Sequence, residues 1–244
     1  MLHNSKLAQF ILTVFIFAGI QAKAQDGKNL VKWNVAALAL KNFSFQYERA
    51  VSNKISVAGG LRFALKSTLP FSSALEDAID DEETWNSIKD FKTANFAITP
   101  EVRFYLGKQV FQGFYVAPFV RYANYTAEVP YTFEVEGIQE IIPLSGNVNT
   151  FTGGVLLGAQ WKLASRIHLD WWILGPSYGS NSGSITGKKS LSAEEQRELR
   201  ESLSDLEDLP VVKTKYTVDD NGAKVDFSGP WAGIRAGLSV GFRF

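Results

Sequence analysis

The sequence predicts an all-β fold: an eight-stranded antiparallel transmembrane up-and-down β-barrel with short helices in its extracellular loops. Three observations carry that prediction: two-residue alternation running to a terminal aromatic, an ordering of the connections into short and long, and a leader ahead of the first strand. Residues 231–244 (WAGIRAGLSVGFRF) put Phe242, Val240, Leu238, Ala236, Ile234 and Ala232 on one face, and Arg243, Gly241, Ser239, Gly237, Arg235 and Gly233 on the other. Successive strand side chains point to opposite faces, so one face suits lipid and the other a packed polar lumen. In this class Phe242 and Phe244 would also be the assembly signal read by the barrel-assembly machinery.

The leader comes first in the chain. Lys6, an apolar run over residues 7–20 and Ala22-Lys23-Ala24 match a secretory signal with its small-residue cleavage site. The run is shorter than the roughly 20 residues a helix needs to cross a bilayer. The expected division is therefore a signal peptide over 1–24 and one barrel domain over 25–244, with the secretion machinery as a partner. Nowhere after the leader do 18 consecutive apolar residues occur, which excludes a helical membrane protein. There is no Cys, which removes lipoprotein anchoring, thiolate metal sites and disulfides together. Without Lys6 and Lys23 the 25 bases fall to 23 against 25 acids, a balance that attracts no nucleic acid.

Period-two reading gives strands over 29–40, 43–51, 55–67, 91–106, 113–127, 149–163, 167–178 and 225–244. The connections at 52–54, 107–112 and 164–166 are short, and those between the third and fourth, fifth and sixth, and seventh and eighth strands are long. Bacterial barrels have short periplasmic turns and longer extracellular loops, so this order puts both termini in the periplasm. Only the first outer connection, at Lys41-Asn42, is tight. In the fifth-to-sixth connection, residues 128–148 are rich enough in Val, Ile, Tyr and Phe to extend that hairpin above the membrane.

A soluble lipocalin-like barrel also alternates, but there the apolar face lines the calyx and the outside is charged. Here the apolar face is nearly free of charge, through Val31, Trp33, Val35 and Ala37; Phe43, Phe45 and Tyr47; Ile55, Val57, Leu61, Phe63 and Leu65; and Phe96, Ile98, Val102 and Phe104. Tyr47, Phe104, Phe114, Trp161, Trp171, Phe242 and Phe244 gather beside the short turns as a periplasmic-side aromatic girdle. The expected location is the outer membrane, with its lipids and lipopolysaccharide as surroundings. Residues 29–70, through Lys32-Trp33-Asn34, the Asn42-Phe43-Ser44 turn and Tyr47-Glu48-Arg49, resemble the opening of a small Bacteroidota-type outer-membrane barrel family of uncharacterised function. The resemblance implies an OmpA/OmpX-like eight-stranded architecture and brings no activity with it.

With Phe244 facing lipid, alternation turns Lys32, Glu48, Arg62, Glu101, Arg103, Arg121, Lys162, Asp170, Arg235 and Arg243 inward. An eight-stranded barrel is just wide enough for its side chains to fill, so buried charges must pair or recruit water. Glu48, Arg62, Glu101, Arg103, Arg121, Asp170 and Arg235 are the expected lumen charge network. It serves as a stiffening plug or, through its surplus of arginine, as a narrow anion-favouring pathway or small-ligand site. Inward Gly60, Gly158, Gly233, Gly237 and Gly241 would make room for Arg62, Arg121 or Trp172.

Enzymatic function is not expected. Acyl or peptide transfer at neutral pH calls for a tunable base, and the chain beyond its leader holds only His168, next to a periplasmic turn. One His and no Cys cannot supply the usual zinc ligands, so no metal or cofactor is expected. Residues 74–90 carry Leu75, Ala78, Ile79, Trp85 and Ile88 near helical spacing among seven acids, and Ser192 with Glu195 forms a capping box before Leu199, Leu203 and Leu206. These two loop helices should pack on the barrel mouth. Their acids could attract divalent cations or a basic partner, though neither run has an EF-hand pattern. A structural or surface-interaction barrel is thus the leading reading, ahead of a channel or ligand binder, with a lipid-modifying envelope enzyme third.

Overall fold

The computed structural model describes residues 27–79, 81, 85, 89–135, 138–204 and 212–244, which leaves the expected signal peptide outside the described residues. Nine strands form one antiparallel sheet: β1 (Asn29–Asn34), β2 (Phe43–Ala50), β3 (Ile55–Thr68), β4 (Lys92–Tyr105), β5 (Gly113–Val135), β6 (Ile138–Lys162), β7 (Ile167–Lys188), β8 (Lys213–Asp219) and β9 (Gly222–Arg243). Eight of them close a ring. Neighbours in sequence pair in turn from β1 to β7, β7 pairs β9, and β9 returns to β1 with Leu30 opposite Arg243 and Asn34 opposite Ser239. Phe244 completes the seam, its N–H donating to the Asn29 carbonyl at 2.9 Å and its carbonyl accepting from the Asn29 N–H at 3.1 Å. Ring closure leaves no free edge along the paired lengths.

The alternation places the faces as expected. Trp33, Phe45, Tyr47, Val57, Phe96, Ile98, Phe104, Leu238, Val240 and Phe242 are exposed on the outside, while Lys32, Gln46, Glu48, Glu101, Arg103 and Asp170 are buried within. Near the short turns the outer face carries Tyr47, Phe104, Phe114, Trp161, Trp171 and Phe242, with the Trp161 and Trp171 rings stacked 6.4 Å apart. Toward the long loops it carries Phe96, Tyr122, Phe151 and Tyr178, and just beyond them Asn124 donates to Asn147 and Asn149 at 2.9 Å, where the surface turns polar. Phe114 and Tyr122 lie on one strand, and at about 3.3 Å per residue and a tilt of about 40° the apolar belt between them is roughly 20 Å tall, close to the band of a transmembrane barrel.

The wall is uneven in height. β1 and β2 have 6 and 8 residues, whereas β5, β6, β7 and β9 have 22 to 25. A spanning strand needs only about 9 to 11 residues, so the taller strands continue well past the belt. The fifth-to-sixth connection does extend its hairpin, with ladder pairs continuing to Val135 opposite Ile138.

Two segments depart from the expectation. In place of a first strand over 29–40, β1 ends at Asn34 and a 3-10 helix follows (Ala36–Leu40), closed by Lys41 in the left-handed region at φ 54°. Ala37, expected on the lipid face, is buried, and its N–H donates to the Asn34 side-chain oxygen at 3.1 Å. The run AALAL alternates only in size, and Ala and Leu are strong helix formers, so nothing in it holds a strand once β9 stops pairing. The second departure is β8, which folds back on β9 outside the ring through a turn at residues 219–222.

Two loop helices fall within the described residues. α1 (Ser72–Ala78) begins ahead of the expected 74–90 stretch; beyond it Trp85 N–H bonds the Asp81 carbonyl and Lys89 N–H bonds the Trp85 carbonyl at helical spacing. α2 (Ala193–Ser204) packs on β8, where Arg200 donates to the Val218 carbonyl at 2.7 Å; Leu206 lies outside the described residues. The capping box is formed. Glu195 N–H donates to Ser192 Oγ at 3.2 Å, and Ser192 N–H donates back to Glu195 Oε2 at 2.7 Å. Hydrogen bonds from the Ser192 backbone, and then from Lys189, lower the Glu195 pKa from 4.5 to about 2. A carboxylate depressed in this way stabilises α2 fully above its unfolded pKa and loses that contribution as pH falls through the folded one. The Ser192 amide resonance is therefore expected to titrate with a midpoint of about 2 and to lose that transition in Glu195→Gln, while Ser192→Ala should cost the helix about 1 kcal/mol.

Candidate functional site

The lower lumen, nearer the short turns, is filled by one connected polar layer. Lys32 Nζ of β1 donates to Glu48 Oε2 of β2 and to Asp170 Oδ2 of β7, both at 2.5 Å. Arg103 of β4 donates to Glu101 Oε1 at 2.6 Å and to Asp170 Oδ2 at 2.7 Å, and its Nη1 lies 3.3 Å from Glu48 Oε2. Arg235 of β9 sends both terminal nitrogens to Glu101 Oε2 at 3.0 Å. Three cations thus meet three carboxylates, and all but Arg235 have side chains 0% exposed.

Neutral groups satisfy the remaining lone pairs. Tyr105 donates to Glu48 at 2.6 Å, Tyr115 to Asp170 at 2.7 Å and the Trp172 indole to Asp170 at 3.1 Å; Ser56 also donates to Glu48. Gln46 accepts from Arg103 at 2.8 Å. Rings lie under the guanidiniums as well, Tyr115 at 4.3 Å from Arg103 and Phe119 at 4.4 Å from Arg235. Such pairing is what a low-dielectric interior demands, because an ion left unpaired there loses several kcal/mol of solvation.

Of the seven expected network residues, Glu48, Glu101, Arg103, Asp170 and Arg235 join this layer and Lys32 completes it. Arg62 and Arg121 do not. Both point inward but sit higher, Arg62 donating to Asn42 Oδ1 at 2.9 Å and Arg121 to Thr99 Oγ1 at 3.2 Å. Alternation assigns a face and says nothing of height along it. Lys162 is exposed at the short-turn end, and Arg243 sits at that same end, bonding the Gly27 carbonyl at 2.5 Å. The neutral members Tyr105, Tyr115, Gln46, Ser56 and Gln160, which accepts from Tyr105 at 2.8 Å, escape a search for charges, although the same alternation turns them inward.

The stopper below the layer escapes it too. Phe111, in the turn between β4 and β5, is buried and lies edge-on to Tyr105 and to His168, with ring centroids 6.4 and 6.2 Å apart. His168 accordingly packs in the lumen floor. Two inward glycines make room for neighbours other than those expected. A Cβ on Gly158 would collide with the Tyr115 ring, and one on Gly241 would fall 2.8 Å from the Lys32 stem.

Residues 10–180 match the family described as "Protein of unknown function (DUF3575)". The chain belongs to the DUF3575 family. No curated protein sequence matches it. Among solved structures, this DUF3575 chain is similar to a major outer membrane protein from Thermus thermophilus, at 13% identity and a TM-score of 0.41, covering 88% of this chain and 98% of that one. It is also similar to the translocator domain of the autotransporter NalP from Neisseria meningitidis, at 10% identity and a TM-score of 0.39, covering 99% and 96%.

Proposed function

We infer that the chain is an outer-membrane β-barrel whose role is structural or surface-interacting, with a lumen closed to passage and no enzymatic activity. The observation that carries this reading is the layer of six mutually paired charged side chains across the lower lumen, buried and backed by Phe111. A pathway for ions needs water or mobile ligands along its length, and here the lower lumen is occupied by side chains bonded to one another. The apolar belt with aromatic rims supports insertion among outer-membrane lipids, and the paired terminal strand ending in Phe242 and Phe244 supports recognition by the barrel-assembly machinery.

The surface-interaction part rests on the uneven wall. β5, β6, β7 and β9 rise past the belt as a continuous sheet whose upper outer face bears Asn124, Asn147 and Asn149, a polar surface suited to lipopolysaccharide sugars or a partner above the membrane. Planar bilayers containing the refolded chain are expected to show no conductance steps in concentrated salt. Regular single-channel openings would overturn the closed-lumen reading.

A further inference from the structure

The upper lumen differs from the lower in its charge balance. Below, Lys32, Arg103 and Arg235 are matched by Glu48, Glu101 and Asp170. Above, Arg62 and Arg121 bond only neutral oxygens, and among the described residues no carboxylate lies within ion-pair distance of either. Both line a cavity of about 410 Å³ together with Arg235 and Thr99, and the buried Nε of Arg235 has no hydrogen-bond partner. Two guanidiniums without a carboxylate partner and an orphaned donor around one space are the chemistry that recognises an anion.

The wall beside this cavity is incomplete. β9 pairs β1 only from Ser239 to Arg243, with one further bond from Val35 N–H to the Leu238 carbonyl, and pairs β8 only from Gly222 to Ser228. Among the described residues no strand pairs with 229–237 on that edge, and the 3-10 helix lies against β9 there without forming a ladder. On the other side the hairpin of β1 and β2 is tied to β3 through Lys41 Nζ, which donates to the Thr68 carbonyl at 2.9 Å. The gap is therefore a window on the β9 side. Its rim is apolar: Leu40 of the 3-10 helix and Ile234 of β9 border the cavity there, and Ile234 is 76% exposed on the belt face.

We propose that the upper lumen binds the phosphate or carboxylate head of a membrane amphiphile, which enters sideways through the window between the 3-10 helix and β9. The head sits between Arg62, Arg121 and Arg235, which offer forked donors suited to such groups, and the chain leaves past Leu40 and Ile234 into the surrounding lipid. The paired layer beneath makes the cavity a dead end, so the ligand is held rather than passed through. The proposal rests on the membrane-spanning reading. That reading is checked separately by heat-modifiable migration of the chain refolded in detergent or vesicles, so its failure is visible before any ligand is added.

The test is a calorimetric titration of the full chain, refolded in dodecylmaltoside, with dodecyl phosphate, with inorganic phosphate and with dodecanol. Dodecyl phosphate is expected to bind at least tenfold more tightly than inorganic phosphate, and dodecanol not measurably. Arg62→Gln and Arg121→Gln should each weaken dodecyl phosphate about tenfold, as losing one charge-assisted hydrogen bond implies, and the double variant should abolish it. The single variants keep the test valid should the double variant fail to fold. Inorganic phosphate binding as tightly as dodecyl phosphate would identify a water-borne anion site and overturn lateral entry. No binding, or binding unchanged in both single variants, would overturn the site itself.

Discussion

Replacing Arg103 by leucine is expected to lower the stability of the barrel by about 3 to 5 kcal/mol, read as a fall in the urea midpoint of the chain refolded into vesicles. Arg103 is fully buried and touches all three carboxylates of the lower layer. Without it, three acids face Lys32 and Arg235 alone, and one must be protonated or stay uncompensated. The charge, rather than the lost packing, is the larger loss, because leucine fills part of the same volume and the Tyr115 ring remains to cover it. A second substitution should therefore rescue the first. Asp170→Asn in the Arg103→Leu background removes the surplus acid and is expected to recover more than half of the deficit, while Asp170→Asn alone is destabilising. That sign reversal marks coupling between the two sites. If Arg103→Leu unfolds within about 1 kcal/mol of the parent, the layer is not what holds the lower barrel together.

How much of this is legible in the sequence varies with the kind of information. Faces are readable because lipid outside and ions inside impose opposite chemistry on alternate residues. One fixed point, Phe244, is enough to phase the last strand and turn Arg235 and Arg243 inward. Strand ends are less readable. Residues 35–40 read as strand because Ala and Leu satisfy either pattern, and the difference lies in whether β9 offers a partner, which is a tertiary fact. β8 escapes notice because three of the seven residues of its strand KTKYTVD are charged, although Asn221-Gly222 is the kind of pair that closes a hairpin. Height is not readable at all. Alternation groups Arg62 and Arg121 with the deep acids because both sets face inward, and only the registers of Arg62 with Ser44 and Arg121 with Thr152 place them a layer above. That difference in height is what separates a neutral plug from a cationic cavity.

Phe111 is the other residue on which the closed end depends, and its two simplest substitutions should fall in an unusual order. Its ring is fully buried against Tyr105, His168 and the guanidinium of Arg243, whose central carbon lies 5.3 Å from the ring centre. Truncating a buried Phe to Ala typically costs about 3 to 5 kcal/mol, so Phe111→Ala should be among the most damaging single changes in the chain. Yet Phe111 also sits at φ 65°, a left-handed conformation that costs a residue with a Cβ roughly 1 to 2 kcal/mol. The turn accepts that strain because this backbone geometry swings the ring up into the barrel floor. Alanine inherits the strain without the burial, whereas glycine loses the burial and sheds the strain. Phe111→Gly is therefore expected to unfold at a higher urea concentration than Phe111→Ala, by about 1 kcal/mol, the reverse of the order found in helices and strands. A glycine variant weaker than the alanine one would show that the turn is unstrained. An alanine variant as stable as the parent would show that Phe111 only covers the floor. On the closed-lumen reading proposed above neither variant should conduct, because the paired layer of Lys32, Glu48, Arg103 and Asp170 lies immediately above; if Phe111→Ala opened a conducting path, the paired layer could not be the seal.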